Sequence, residues 1–383
     1  MTSTTHRVDL HALSFDIPQM LADVRPWIEA ESPTYDTAAV NRMMDLATRD
    51  FAMAGALVER IPGSQGLGDC VRARFPHPAA GQPGILMLAH LDTVHPVGTL
   101  AALPWRIEGD RCYGPGLLDM KGGAFIALHA MKALQRASVG TPLPVTVLLT
   151  CDEEIGSPST RTLIEQEAAR HKYVLVPEPA RRDSGVTTGR YAIARYKLIA
   201  TGRPSHAGAR PGEGLSAIRE IAHRIIAIEA MSKDESTLSC GVVRGGQWVN
   251  CVASSASFEI LNMSKTEAAL AETAAMLAAL KPTDPRVKLH LETGVRRPLW
   301  SASGRDMELY EIAKSIAEEL GFAIPPQSSP GGSDGNFTGA LGIPTLDGLG
   351  PRGDGTHTLE EHIVVSSLPE RGRLLAGLLA RLS

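Results

Sequence analysis

The chain contains no uninterrupted apolar run of about 18 residues, so nothing in it reads as a membrane-spanning helix. It has no CxxC pair. Its five cysteines, Cys70, Cys112, Cys151, Cys240 and Cys251, are scattered and odd in number, which fits a reducing cytosol better than a disulfide framework. Strong charge of either sign is missing too: a net charge of −4 over 383 residues offers no field suited to nucleic acid or an anionic membrane. The opening MTSTTHRVDLHALSFDIPQM has no basic segment followed by an apolar stretch of signal length, so the expected location is cytoplasmic. No G-x-S-x-G elbow follows a strand-like run, which leaves a serine hydrolase with only its sheet as motivation. The expected partner is a small molecule.

What is present is enough for substantial cores. With 43% hydrophobic residues and a length beyond that of one compact domain, the chain is expected to form two. GILMLAH, VTVLLTC and YVLVPEP are short continuous apolar runs, as in strands buried on both faces of a mostly parallel sheet. GGAFIALHAMKALQRA has helical spacing between two of them, and SPSTRTLIEQEAARH opens with capping residues before a helix. The core is therefore α/β. From about Gly189 the texture changes to strand, helix, two strands, helix and strand, the order of a small inserted split-βαβ unit. The expected domains are residues 1–188, an inserted 189–297, and 298–383, where MELYEIAKSIAEELG and IPTLDGLG resume the first texture. There is no internal repeat or low-complexity tract.

Ligands of open parallel sheets bind beyond the carboxyl ends of the strands. After ILMLA come His90 and Asp92, after VTVLLTC come Asp152, Glu153 and Glu154, and after YVLVP comes Glu178. His357 follows IPTLDGLG, and the Gly-rich YGPGLLDMKGG carries Asp119. So many carboxylates facing one crevice would repel unless cations neutralised them. Mixed His and carboxylate ligands suit zinc, with cobalt or manganese as substitutes, and five ligands exceed the need of one tetrahedral ion. Two ions sharing one carboxylate, about 3.5–4 Å apart, suit them better. Adjacent residues of extended chain point to opposite sides, so Glu154 can bind metal while Glu153 acts as general base, moving a proton from water to a leaving nitrogen. Asp92, two residues beyond His90, is placed to accept the far ring N–H of that histidine.

HLDTVHPVG, YGPGLLDMKGG, CDEEIGSPST, VPEP, RPSHAGARP and GGSDGNFTGALGIPTLDGLG…GTH together resemble the co-catalytic zinc family of glutamate carboxypeptidases, acetylornithine deacetylase and succinyl-diaminopimelate desuccinylase. The resemblance spans nearly the whole chain after the first twenty-odd residues. It implies a two-zinc amidohydrolase of exopeptidase-like α/β fold whose inserted α+β unit serves as lid and dimerisation domain. It further implies a bridging Asp119, His90 and Glu178 on one zinc, Glu154 and His357 on the other, a supporting Asp92 and Glu153 as base. His206, in PSHAG, would stabilise the developing oxyanion, often across a homodimer, accompanied by Asn250. Gly332 and Ser333, in GGSDGNF, fall in the loop that resembles the family's pocket lining. One position departs: SFEILNMS puts Asn262 or Met263 where the family's carboxypeptidases carry an arginine for the substrate α-carboxylate. Arg190, Arg210 or Arg297 is the expected replacement, unless the substrate has no carboxylate there.

The expected substrate is accordingly an N-acyl or peptidyl amino acid, with a deacylase, an amidase on an uncharged substrate and a non-hydrolytic metal-bound binding protein as alternatives. The intact general base argues against the last of these. His129, His171, His223 and His290 read as core or surface residues, His95 as shaping its loop, and Glu360 and Glu361 as a solvated helix start.

Overall fold

The computed structural model describes residues 8–383. The first seven, where the stretch read as leaderless begins, lie outside the described residues. The chain divides into two compact units: residues up to Gly189 with Ser301–Ser328 and Ser333–Ser383, and Arg190–Trp300 with Ser329–Gly332.

The first unit is built on a six-stranded sheet in the order Leu57–Ile61, Cys70–Arg74, Val145–Thr150, Gly84–His90, His171–Leu175 and Thr345–Leu346. The first two pairings in this order are antiparallel and the remaining three are parallel. Every residue of Gly84–His90 and Val145–Thr150 is buried, which is why both are continuous apolar runs. Ile85, Met87, Val145 and Val147 join the core shared with the helices Ile17–Glu29, Thr37–Met53, Gly122–Arg136 and Ser367–Arg381. Leu86, Leu88, Leu148 and Val174 face the other way, toward Ile164 and Phe337 on the helices Arg161–Ala168 and Gly335–Ala340. Each such side chain is worth about 1.5–3 kcal/mol of burial, so the sheet is held from both sides. A second, antiparallel sheet of four strands, Gly353–Asp354, His362–Val364, Arg111–Tyr113 and Arg106–Glu108, escapes sequence reading because each strand is only two or three residues long. It brings the segment leading to Asp119 beside the one that follows His357.

His129, on Gly122–Arg136, is buried and stacked on Phe125 at 4.5 Å. Its Nε2 has no hydrogen-bond partner among the described residues. Burial lowers its pKa from 6.5 to about 4, so between these values the unfolded chain binds a proton that the native state refuses. Stability contributed by neutral His129 is complete above pH 6.5 and lost as pH falls toward 4, by about 3 kcal/mol in all. His129→Leu is therefore expected to flatten the fall in urea midpoint between pH 7 and pH 5. Parallel midpoints for variant and wild type would refute the assignment.

In the second unit the elements run strand, helix, strand, strand, helix, strand. Its antiparallel sheet has the order Ser236–Gly245, Ser255–Ser264, Ala192–Thr201, Lys288–Arg297. Ala192, Ala194, Tyr196, Leu198 and Ala200 alternate inward on one strand, against Ile221 and Ile228 of Ala217–Glu229 and Leu270 and Leu277 of Glu267–Ala278. Ser216 and Thr266 cap these helices by accepting the N–H of Arg219 and Ala269. No helix among the described residues is long and apolar enough to cross a membrane.

Candidate metal centre

The site forms where strands of the first unit end. His90 is the last residue of its strand, Glu153 and Glu154 lie in a short turn after Val145–Thr150, and Glu178 follows His171–Leu175. The start of the helix Gly122–Arg136 lies against the Glu178 segment so closely that a Cβ on Gly123 would meet Pro177 O at 1.7 Å. Only glycine permits that approach. Where the turn Leu117–Lys121 runs into this helix, buried Lys121 donates through Nζ to Trp27 O and Ala30 O.

The site gathers seven of the expected residues. Asp119 Oδ1 lies 3.2 Å from His90 Nε2, and its Oδ2 lies 3.3 Å from His357 Nε2. His90 Nε2 is 3.7 Å from Glu178 Oε1, and His357 Nε2 is 3.2 Å from Glu154 Oε2. Glu153 stands further off, with Oε2 4.0 Å from His90 Nε2. Asp92 is fully buried and accepts the Thr34 hydroxyl at 2.6 Å and the N–H groups of Glu153 and Glu154 at 3.2 Å each. His90 Nδ1 is nearer the Asp92 carbonyl oxygen, at 3.0 Å, than the carboxylate, at 3.4 Å. Asp152 is committed elsewhere, accepting the N–H and hydroxyl of Ser159 and the hydroxyl of Thr160. Three consecutive acids thus have three different sets of neighbours.

The cluster favours positive charge. Burial alone would lower the His90 pKa, but hydrogen bonds to Asp119 and Asp92 and the charges of Glu178 and Glu153 carry it well above its usual value. Hydrogen bonds to Asp119 and Glu154 raise His357 to about 10. Burial, reinforced by the Asp119 charge, raises Glu178 well above the carboxylate range and Glu154 to about 7. Burial would raise Asp119 as well, yet its two imidazole partners hold it below the ordinary range. Ligand atoms around a tetrahedral zinc ion sit about 3.3 Å apart, close to the spacings here, and His90, Asp119 and Glu154 each offer an atom within 4.8 Å of the others. The donor set fits divalent metal.

The remaining expected residues belong mostly to the second unit. His206 is exposed, and its Nδ1 accepts the N–H groups of Gly208 and Ala209 at 3.2 and 3.1 Å, so the ring proton sits on Nε2. Asn250 is beside it, its carbonyl accepting the Ala207 N–H. Arg190 is buried and donates to Gly331 O and Gly332 O. A Cβ on Gly332 would meet Arg297 Cδ at 2.7 Å. Ser333, in the first unit, corrects its sequence reading as a substrate ligand. It is fully buried, and its hydroxyl donates to Asp347 and accepts the Gly335 N–H, so it shapes the loop instead. Glu361 corrects the reading as a solvated helix start, being fully buried among donors, while Glu360 is exposed. Thr34 gave no signal, since nothing in sequence links it to a residue 58 positions away.

A profile described as "Peptidase family M20/M25/M40" matches residues 86–381. Carboxypeptidase G2 of Pseudomonas sp. (strain RS-16) is 29% identical over 375 residues, 94% of this chain and 89% of that one. A succinyl-diaminopimelate desuccinylase of Xylella fastidiosa is 26% identical over 325 residues, 79% of this chain and 84% of that one. Aminopeptidase PepT from Bacillus cereus ATCC 10987 shares the fold with a TM-score of 0.73 at 23% identity, over 95% of this chain and 98% of that one.

Proposed function

We propose, on the premise that this chain belongs to peptidase family M20/M25/M40 and is a metal-dependent hydrolase, that it cleaves the amide of an N-acyl or peptidyl amino acid as a glutamate carboxypeptidase would. The observation that carries this is Asp119, whose two oxygens face two separate imidazoles, each backed by its own glutamate. His90 and Glu178 would hold one zinc ion and His357 and Glu154 a second, with Asp119 shared, and cobalt or manganese suits the same donors. When bound, zinc there supplies Lewis-acid polarisation of the scissile carbonyl and of the attacking water. Glu153, outside the ligand pairs, takes the proton from that water and passes it to the departing nitrogen. Asp92 holds the backbone of Glu153 and Glu154 in register with His90. His206, with its Nε2 proton exposed, serves as oxyanion donor, with the second unit acting as its lid and as the homodimer contact.

The arginine missing at Met263 has a counterpart in the same row of the sheet. Ile193 pairs with Met263 on one neighbouring strand and with Arg297 on the other, so the three share a face. Arg297, packed against Gly332, is the cation for the substrate carboxylate, with Arg190 shaping the Gly-rich loop and Asn250 beside His206. The likeness to carboxypeptidase G2 over 94% of this chain supports this reading. Met263 itself favours a second one, an N-acyl amino acid deacylase, which the desuccinylase relative also supports. Amine release from N-acyl glutamates and from the matching α-amides separates the two. The free acids should be preferred by about 10- to 100-fold in kcat/KM, and Arg297→Met should abolish the preference. Amides that react equally well with the wild type would favour the second reading.

A further inference from the structure

The turn that carries Asp119 is held by one side chain 242 residues further along the chain. Glu361 Oε1 accepts the N–H of Leu118 at 2.8 Å and of Asp119 at 3.0 Å. Its Oε2 accepts the N–H of Gly116 at 3.0 Å and lies 2.7 Å from His95 Nε2. Three of the four neighbours are backbone donors, and a carboxylate can only accept, which places the His95 ring proton on Nε2. The turn has no slack: Gly116 takes φ 70°, and a Cβ there would meet Thr93 Cγ2 at 2.4 Å. Through these bonds one carboxylate ties together three segments. These are the loop after His90, reached at His95; the turn of Asp119; and its own segment, four residues beyond His357.

We infer that Glu361 is a positioning residue for Asp119 and, through it, for both metal positions. This rests on the metal reading above. An acid that merely filled a buried space would change the stability of the metal-free protein and leave its metal affinity alone. Glu361 changes metal affinity as well, because its acceptor atoms set where the Asp119 backbone stands. In Glu361→Gln an amide NH₂ must face a backbone N–H or the His95 ring, and the turn shifts to relieve it.

Zinc titration calorimetry on full-length wild type, Glu361→Gln, His95→Leu and His95→Gln tests this, each paired with a thermal melt of the chelator-treated protein. Glu361→Gln should lower the metal-free melt and, in the protein that still folds, weaken zinc by about 10- to 100-fold, the usual cost of losing a partner behind a metal ligand. His95→Leu leaves Glu361 and its three backbone bonds in place, so it reads the same effect should Glu361→Gln not fold. It should bind zinc several-fold more weakly, and His95→Gln, which restores a donor, should recover most of the affinity. Unchanged zinc affinity in Glu361→Gln or His95→Leu, with wild type binding normally, overturns the role of Glu361 alone. Wild-type protein that takes up no zinc overturns the metal reading and this inference together.

Discussion

Glu153→Gln lowers kcat for amide hydrolysis by about 10²- to 10⁴-fold while zinc content and KM stay near those of the wild type. The substitution keeps the shape of the side chain and removes its capacity to accept a proton. Metal content is spared because Glu153 stands at 4.0 Å from His90 Nε2, whereas the ligand contacts are 3.2–3.7 Å. KM is spared because proton transfer contributes in the transition state and not to ground-state binding. Steady-state kinetics with zinc counted in the same sample checks this. Full turnover by a zinc-loaded variant would remove Glu153 from the mechanism.

Asp119→Ala has the larger effect on the metal. It deletes the only one of these ligands whose two oxygens face both imidazoles, leaving His90 with Glu178 and His357 with Glu154. If four ligands share the roughly 10–16 kcal/mol of a structural zinc site, losing one costs each ion about 10²-fold or more in affinity. The loss is not a symptom of unfolding, since the same change removes a like charge from beside Glu154 and Glu178. Chelator-treated variant and wild type should therefore melt within a few degrees of each other, while only wild type gains stability from zinc. Equilibrium dialysis of both proteins decides the matter: two ions retained by Asp119→Ala would show that it does not bridge.

The parts of this site that can be read from sequence are those set by local burial. Strands covered on both faces must be continuous apolar runs, and residues just beyond their carboxyl ends converge, so His90, Glu153, Glu154 and Glu178 announce themselves. Asp119 is legible from the Gly-rich turn that carries it and His357 from the strand-like run before it, and the repulsion among so many acids is what points to metal. What sequence does not carry is long-range closure. The four short strands beside the turn have no periodicity to detect, Thr34 reaches Asp92 from a distant loop, and Glu361 beside Glu360 looks like one of two solvated acids. Ser333 misleads in the opposite sense. A serine in a Gly-rich loop suggests a ligand contact, yet its hydroxyl is consumed by Asp347 and Gly335.

The most direct test follows amine release from an N-acyl glutamate while zinc is returned to chelator-treated protein. For a two-zinc amidohydrolase the rate starts near zero, climbs with added metal and stops climbing at about two equivalents per chain. Hydrolysis that survives the chelator undiminished, or zinc uptake that brings no hydrolysis, would contradict it.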